Sequence, residues 1–129
     1  DYAHHPTAVT LTLQAIRSRY PKKRLVAVFE PRSASSKRKV FEERYGDALK
    51  NADESIIIFP TVKKEDENKD ILDVLNVKKI IEEGGLPVHN AENADEALET
   101  LIKISHPDDV VVFMSSGDIA GIPGKFLIS

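Results

Sequence analysis

Three short segments and one terminus of this chain carry side chains able to hold an anion or orient a polar ligand. The first is Glu30-Pro31-Arg32-Ser33, continued by Ala34-Ser35-Ser36. A guanidinium such as that of Arg32 grips a carboxylate or phosphate through two parallel N–H donors. The spacing alone favours the plainer alternative, a surface arginine paired with Glu30 or another carboxylate. The hydroxyls of Ser33, Ser35 and Ser36 add donors for a ligand, or cap a following helix. The second segment is Ser115-Ser116-Gly117-Asp118. Two hydroxyls and exposed amides at a helix start suit an anion; alternatively Gly117 supplies a tight turn and Asp118 a cap. The third, Phe59-Pro60-Thr61, opens a charged run. The terminus Asp1-Tyr2-Ala3-His4-His5-Pro6 brings an acid and two imidazoles together. Neighbouring side chains point apart on a helix or a strand, so His4 and His5 alone make a poor metal pair. His89 and His106 have no metal-type partner at useful spacing, and no metal site is expected.

The familiar catalytic motifs are missing. Gly124-Lys125 is followed by Phe126 and lacks the upstream glycine of a P-loop, so no phosphate-cradling G-x-x-x-x-G-K-[ST] is present. There is no G-x-G-x-x-G and no G-x-S-x-G nucleophile elbow. With no cysteine in the chain, disulfides, thiolate zinc sites and cysteine nucleophiles are excluded. No residue here is a plausible nucleophile acting alone.

The candidate segments follow apolar runs. Residues 24–30 (RLVAVFE), 55–59 (SIIIF) and 109–115 (DVVVFMS) are continuous and rich in β-branched residues, which predicts strands covered on both faces. Residues 86–91 predict a weak strand that is short or near an edge, because of Pro87. Between them the period lengthens. Residues 35–50 put Phe41, Tyr45, Ala48 and Leu49 on one helical face, and 74–83 read as a helix capped by Asp73 and stopped by Gly84-Gly85. Asn93 with Glu96 three residues on forms a capping-box pattern, and Ala94, Leu98, Leu101 and Ile102 predict the buried stripe of the helix that follows. Residues 9–20 fit a strand or a helix, and Pro6 favours the helix. In the tail, 119–128, Pro123 limits any helix to a short or broken one. Seven of the eight residues 63–70 are charged, which predicts a solvated loop.

Strands alternating with helices predict an α/β, Rossmann-like three-layer fold with a mainly parallel sheet and helices on both faces. Ligands of such sheets gather at the carboxyl ends of the strands, where the three segments fall. The chain has 129 residues, about one domain. It is 41% apolar and 30% charged, an ordinary globular composition. Its 18 basic and 21 acidic residues leave a net charge of −3, so no basic field points to nucleic acid. The longest apolar runs are far shorter than the roughly 20 residues of a membrane span, and no membrane insertion is expected.

Asp1-Tyr2-Ala3-His4-His5-Pro6-Thr7 resembles the D-Y-x-H-x-P motif that opens the C-terminal domain of the Mur ligases, the ATP-dependent amide-forming enzymes of bacterial peptidoglycan. Val28-Phe29-Glu30-Pro31-Arg32-Ser33 and Val112-Phe113-Met114-Ser115-Ser116-Gly117-Asp118 agree with the family in order and spacing, so the resemblance spans essentially the whole chain. It implies that residues 1–129 are the third domain of a three-domain cytoplasmic enzyme. The central domain would then bring the P-loop and magnesium ligands, and the first would bind the UDP-sugar. The implied partners are UDP-N-acetylmuramate, a peptide acceptor and the enzyme's own N-terminal and central domains; ATP and Mg are the implied cofactors. By the same resemblance Asp1 and His4 would contact ATP, and Arg32, Ser33, Ser115 and Ser116 the acceptor.

Phe29-Glu30-Pro31-Arg32-Ser33 resembles the branch of the family that joins UDP-N-acetylmuramate to L-alanyl-γ-D-glutamyl-meso-diaminopimelate in cell-wall recycling. The branch that adds L-alanine tends to carry F-Q-P-H-R here. Met114-Ser115 is similar to the M-S-N-G-G of the tripeptide branch, whereas Gly117-Asp118-Ile119 is similar to the G-D-I of the L-alanine branch, so both acceptors stay open. A reading of another class is a free-standing Rossmann-like binding module. It leaves the Asp1–Pro6 motif unexplained.

Overall fold

The computed structural model describes residues 6–31, 39–61 and 70–115, and the backbone of residues 126–128. Its sheet is built from β1 (Leu25–Glu30), β2 (Glu54–Ile58), β3 (Val88–Ala91), β4 (Val110–Ser115) and β5 (Phe126–Ile128), in the order β3-β2-β1-β4-β5. The first four strands run parallel, and β5 pairs antiparallel with β4. The central strand β1 alternates strictly. Leu25, Ala27 and Phe29 face one core, and Val26 and Val28 face the other. Both faces are covered, which is why its sequence is apolar without interruption.

One face carries α1 (Pro6–Arg19), α2 (Glu42–Leu49) and α3 (Val74–Glu83). The opening segment is a helix with Pro6 at its first position, where a missing N–H costs nothing. Val9 and Leu13 are buried, Ile16 and Tyr20 pack against the same core, and Leu11 is exposed, so the helical period holds and the alternating one does not. The expected helix over 35–50 is an α-helix only from Glu42, preceded by a 3-10 turn at Lys39–Phe41; residues 35–38 lie outside the described residues. Tyr45, Ala48 and Leu49 are buried as the period predicts. Helix α3 starts and stops where expected. Asp73 Oδ1 accepts from Leu75 N–H at 3.0 Å, and Gly85 turns the chain at φ 84°. Helices α2 and α3 meet at Gly46, where a Cβ would lie 2.6 Å from Ile80 Cγ2.

The other face carries α4 (Ala94–Ile104), and here the predicted stripe is corrected. Ala97 and Leu101 are buried with Ile104 packed beside them, whereas Ala94 is exposed and Leu98 and Ile102 are 46% and 77% exposed. The cap itself forms, since Asn93 Oδ1 accepts from Glu96 N–H at 2.9 Å. Glu96 reaches back to Glu92 N–H, one residue before the cap. The end of the tail contributes β5, which the sequence pattern did not mark; the stretch around Pro123 lies outside the described residues.

Candidate functional site

The strand order reverses direction at β1. The chain leaves β1 toward β2 and β3, while β4 lies on its other side. β1 and β4 therefore flank the reversal, the usual ligand position at the carboxyl edge of such sheets. The register places Val28 opposite Phe113, Phe29 opposite Met114 and Glu30 opposite Ser115. Glu30-Pro31-Arg32-Ser33 and Ser115-Ser116-Gly117-Asp118 thus start from paired residues, although they are 85 positions apart in sequence. Ser115 is 4% exposed and Pro31 is buried, while Glu30 is half-buried, and both Glu30 and Ser115 have interaction partners. Of the other candidate residues, Asp1, His4, Arg32, Ser33 and Ser116 lie outside the described residues. At the end of β1, the rings of Phe29 and Tyr45 lie 4.9 Å apart, and Phe41 meets Tyr45 edge-on at 6.1 Å. These aromatics tie the end of β1 to α2.

Glu42 was not among the residues singled out from sequence. It is 5% exposed, in the first turn of α2. Its Oε2 accepts from Asp73 N–H at 2.7 Å and its Oε1 from Asn76 Nδ2–H at 2.6 Å. Lys39 Nζ lies 3.7 Å from Oε2. Nearby, Lys39 N–H donates to the Asp70 carbonyl at 2.9 Å. The far ends of the connections after β1 and β2 are therefore tied to each other. A buried carboxylate beside two helix N-termini was the available signal, but an acid in a first helical turn is too common to stand out in a sequence.

Residues 1–117 match the family described as Mur ligase, glutamate ligase domain. The chain belongs to that family. A solved domain from Haemophilus ducreyi 35000HP is similar to it, with a TM-score of 0.63 and 26% identity over 91% of this chain and 76% of that one. That domain comes from a protein provisionally assigned as a UDP-N-acetylmuramate:L-alanyl-γ-D-glutamyl-meso-diaminopimelate ligase. The α/β architecture and the family resemblance read from the motifs both hold.

The amino edge of this Mur ligase domain is built differently. Arg24, just before β1, donates to Asp109 through Nη2 (2.8 Å) and Nε (3.3 Å), to the Ile104 carbonyl at 2.6 Å, and to Glu54. His89 Nε2 lies 2.5 Å from Glu54 Oε2, so this histidine hydrogen-bonds to the charged cluster around Arg24. Asp109 also accepts from His106 N–H at 2.7 Å. Next to it, Arg17 pairs with Asp53 at 2.7 Å. Partial burial acts to lower the Arg24 pKa, but the hydrogen bonds and charges of Asp109 and Glu54 outweigh it, and the net direction is up. The cluster joins the starts of β1, β2 and β4 and reaches β3 through His89. Among the described residues no group of three or more His, Asp or Glu side chains is arranged to hold a metal ion, and no helix is long and apolar enough to cross a membrane.

Proposed function

We propose that this Mur ligase domain forms the ATP- and acceptor-facing wall of a cytoplasmic bacterial ligase that joins UDP-N-acetylmuramate to L-alanyl-γ-D-glutamyl-meso-diaminopimelate. The observation that carries this reading is the Glu30–Ser115 register. It starts the arginine-bearing and serine-bearing segments side by side at the switch point of the sheet. The Phe29–Ser33 motif and the assignment of the Haemophilus ducreyi relative support the tripeptide as acceptor.

In this reading Arg32 clamps an acceptor carboxylate, assisted by Ser33. Ser116 orients the acceptor, and the buried Ser115 anchors the connection that leaves β4. Asp1 accepts hydrogen bonds from the vicinal ribose hydroxyls of ATP, and His4 lies near the phosphates. ATP, delivered with Mg by the central domain, converts the muramoyl carboxylate to an acyl phosphate and leaves as ADP. The acceptor amine then attacks the acyl carbon, and the tetrahedral intermediate expels inorganic phosphate as the amide forms. None of the six residues needs to act as a nucleophile. Orienting bound reactants alone supplies roughly 7–11 kcal/mol of barrier lowering. Closure of the domain over its neighbours keeps water from the acyl phosphate.

The test is an acceptor panel on the full-length enzyme, with UDP-N-acetylmuramate and MgATP, read by phosphate release. Turnover with the tripeptide and none with L-alanine is the expected result. Turnover with L-alanine alone would transfer the domain to the L-alanine branch, in line with Gly117-Asp118-Ile119. No turnover with either acceptor would favour a binding module. The domain by itself is expected to be inactive.

A further inference from the structure

We draw no further inference here: the strongest candidate, the exposed apolar surface patch that Leu98 and Ile102 form along α4, carries none because nothing among the described residues shows what covers it.

Discussion

Replacing Arg24 by Met removes the cation that, among the described residues, faces both Glu54 and Asp109. The side chains of Asp109 and Glu54 are 5% and 11% exposed, and that of Arg24 is 25% exposed. Removing one partner of a buried ion pair costs about 3–5 kcal/mol, most of it the penalty of the orphaned charge. Two contacts reduce that here. Glu54 keeps His89, and Asp109 keeps the amide of His106. The lost contact to the Ile104 carbonyl adds roughly 1 kcal/mol back. The expected destabilisation of Arg24→Met is therefore about 2–4 kcal/mol, from the pair cost less the retained partners. For a domain of this size each kcal/mol moves the melting temperature by roughly 3–5 °C, so a fall of about 6–20 °C is expected. Urea denaturation with a matched m-value gives the free energy directly. The raised pKa of Arg24 fixes the sign of any pH effect. Its contribution is fully present below the ordinary arginine pKa and is lost only as pH rises through the raised one, so the deficit should stay flat from about pH 7.5 to 9. Adding Glu54→Gln and Asp109→Asn to the variant removes the orphaned charges and should restore at least half of the loss. A deficit under about 1 kcal/mol, or no recovery in the triple variant, would refute the account of the cluster as mutually compensating buried charge.

Three other outcomes are expected. Gly46→Ala should destabilise by a net 1–2 kcal/mol or so, overpacking against Ile80 less the gain in helix propensity, and Ile80→Ala in the same chain should cost less than the sum of the two. Leu101→Ala should cost about 2–3 kcal/mol and Leu98→Ala well under 1; similar values in urea melts would reject the face assigned to α4. In the full-length enzyme, Arg32→Ala should weaken acceptor binding by about 2–5 kcal/mol while leaving the ATP KM nearly unchanged, and an equal loss for both ligands would mean a structural role.

The parts of the fold that were legible in the sequence are those decided within a few residues. Continuous β-branched runs gave β1, β2 and β4 to within a residue or so at each end. The Asp73 and Asn93 caps marked the starts of α3 and α4, because a short side-chain oxygen satisfies an amide only two or three positions ahead. The buried stripe of α4 was not legible. Apolar residues at 94, 97, 98, 101, 102 and 104 spread over an arc of about 160°, too wide for one narrow stripe, so two overlapping stripes share Leu101. The sheet selects the one that includes Ala97. Strand β5 escaped because three residues after a Gly- and Pro-containing stretch gain their conformation from pairing with β4. The charge cluster escaped for the same reason. Residues 24, 54, 89 and 109 have no common spacing, and only the sheet gathers them. At the candidate site the arginine and serine segments could each be named, but their adjacency required the β1–β4 register.

That register also separates the work of the two edges. Strands of five or six residues rise about 3.3 Å per residue, so the charge cluster and the carboxyl ends of β1 and β4 lie roughly 15–20 Å apart. Mutations that far apart with no shared partner act nearly independently. Changes in the dense charge pairing of the amino edge are therefore expected to leave the carboxyl ends of β1 and β4 largely unaffected. Arg17 and Arg24 are already committed to Asp53, Glu54 and Asp109. In this division Arg24 governs the stability of the domain. Combining Arg24→Met with Arg32→Ala should then leave the acceptor KM of the folded full-length enzyme at the Arg32→Ala value, while the melting temperature falls by the Arg24→Met shift.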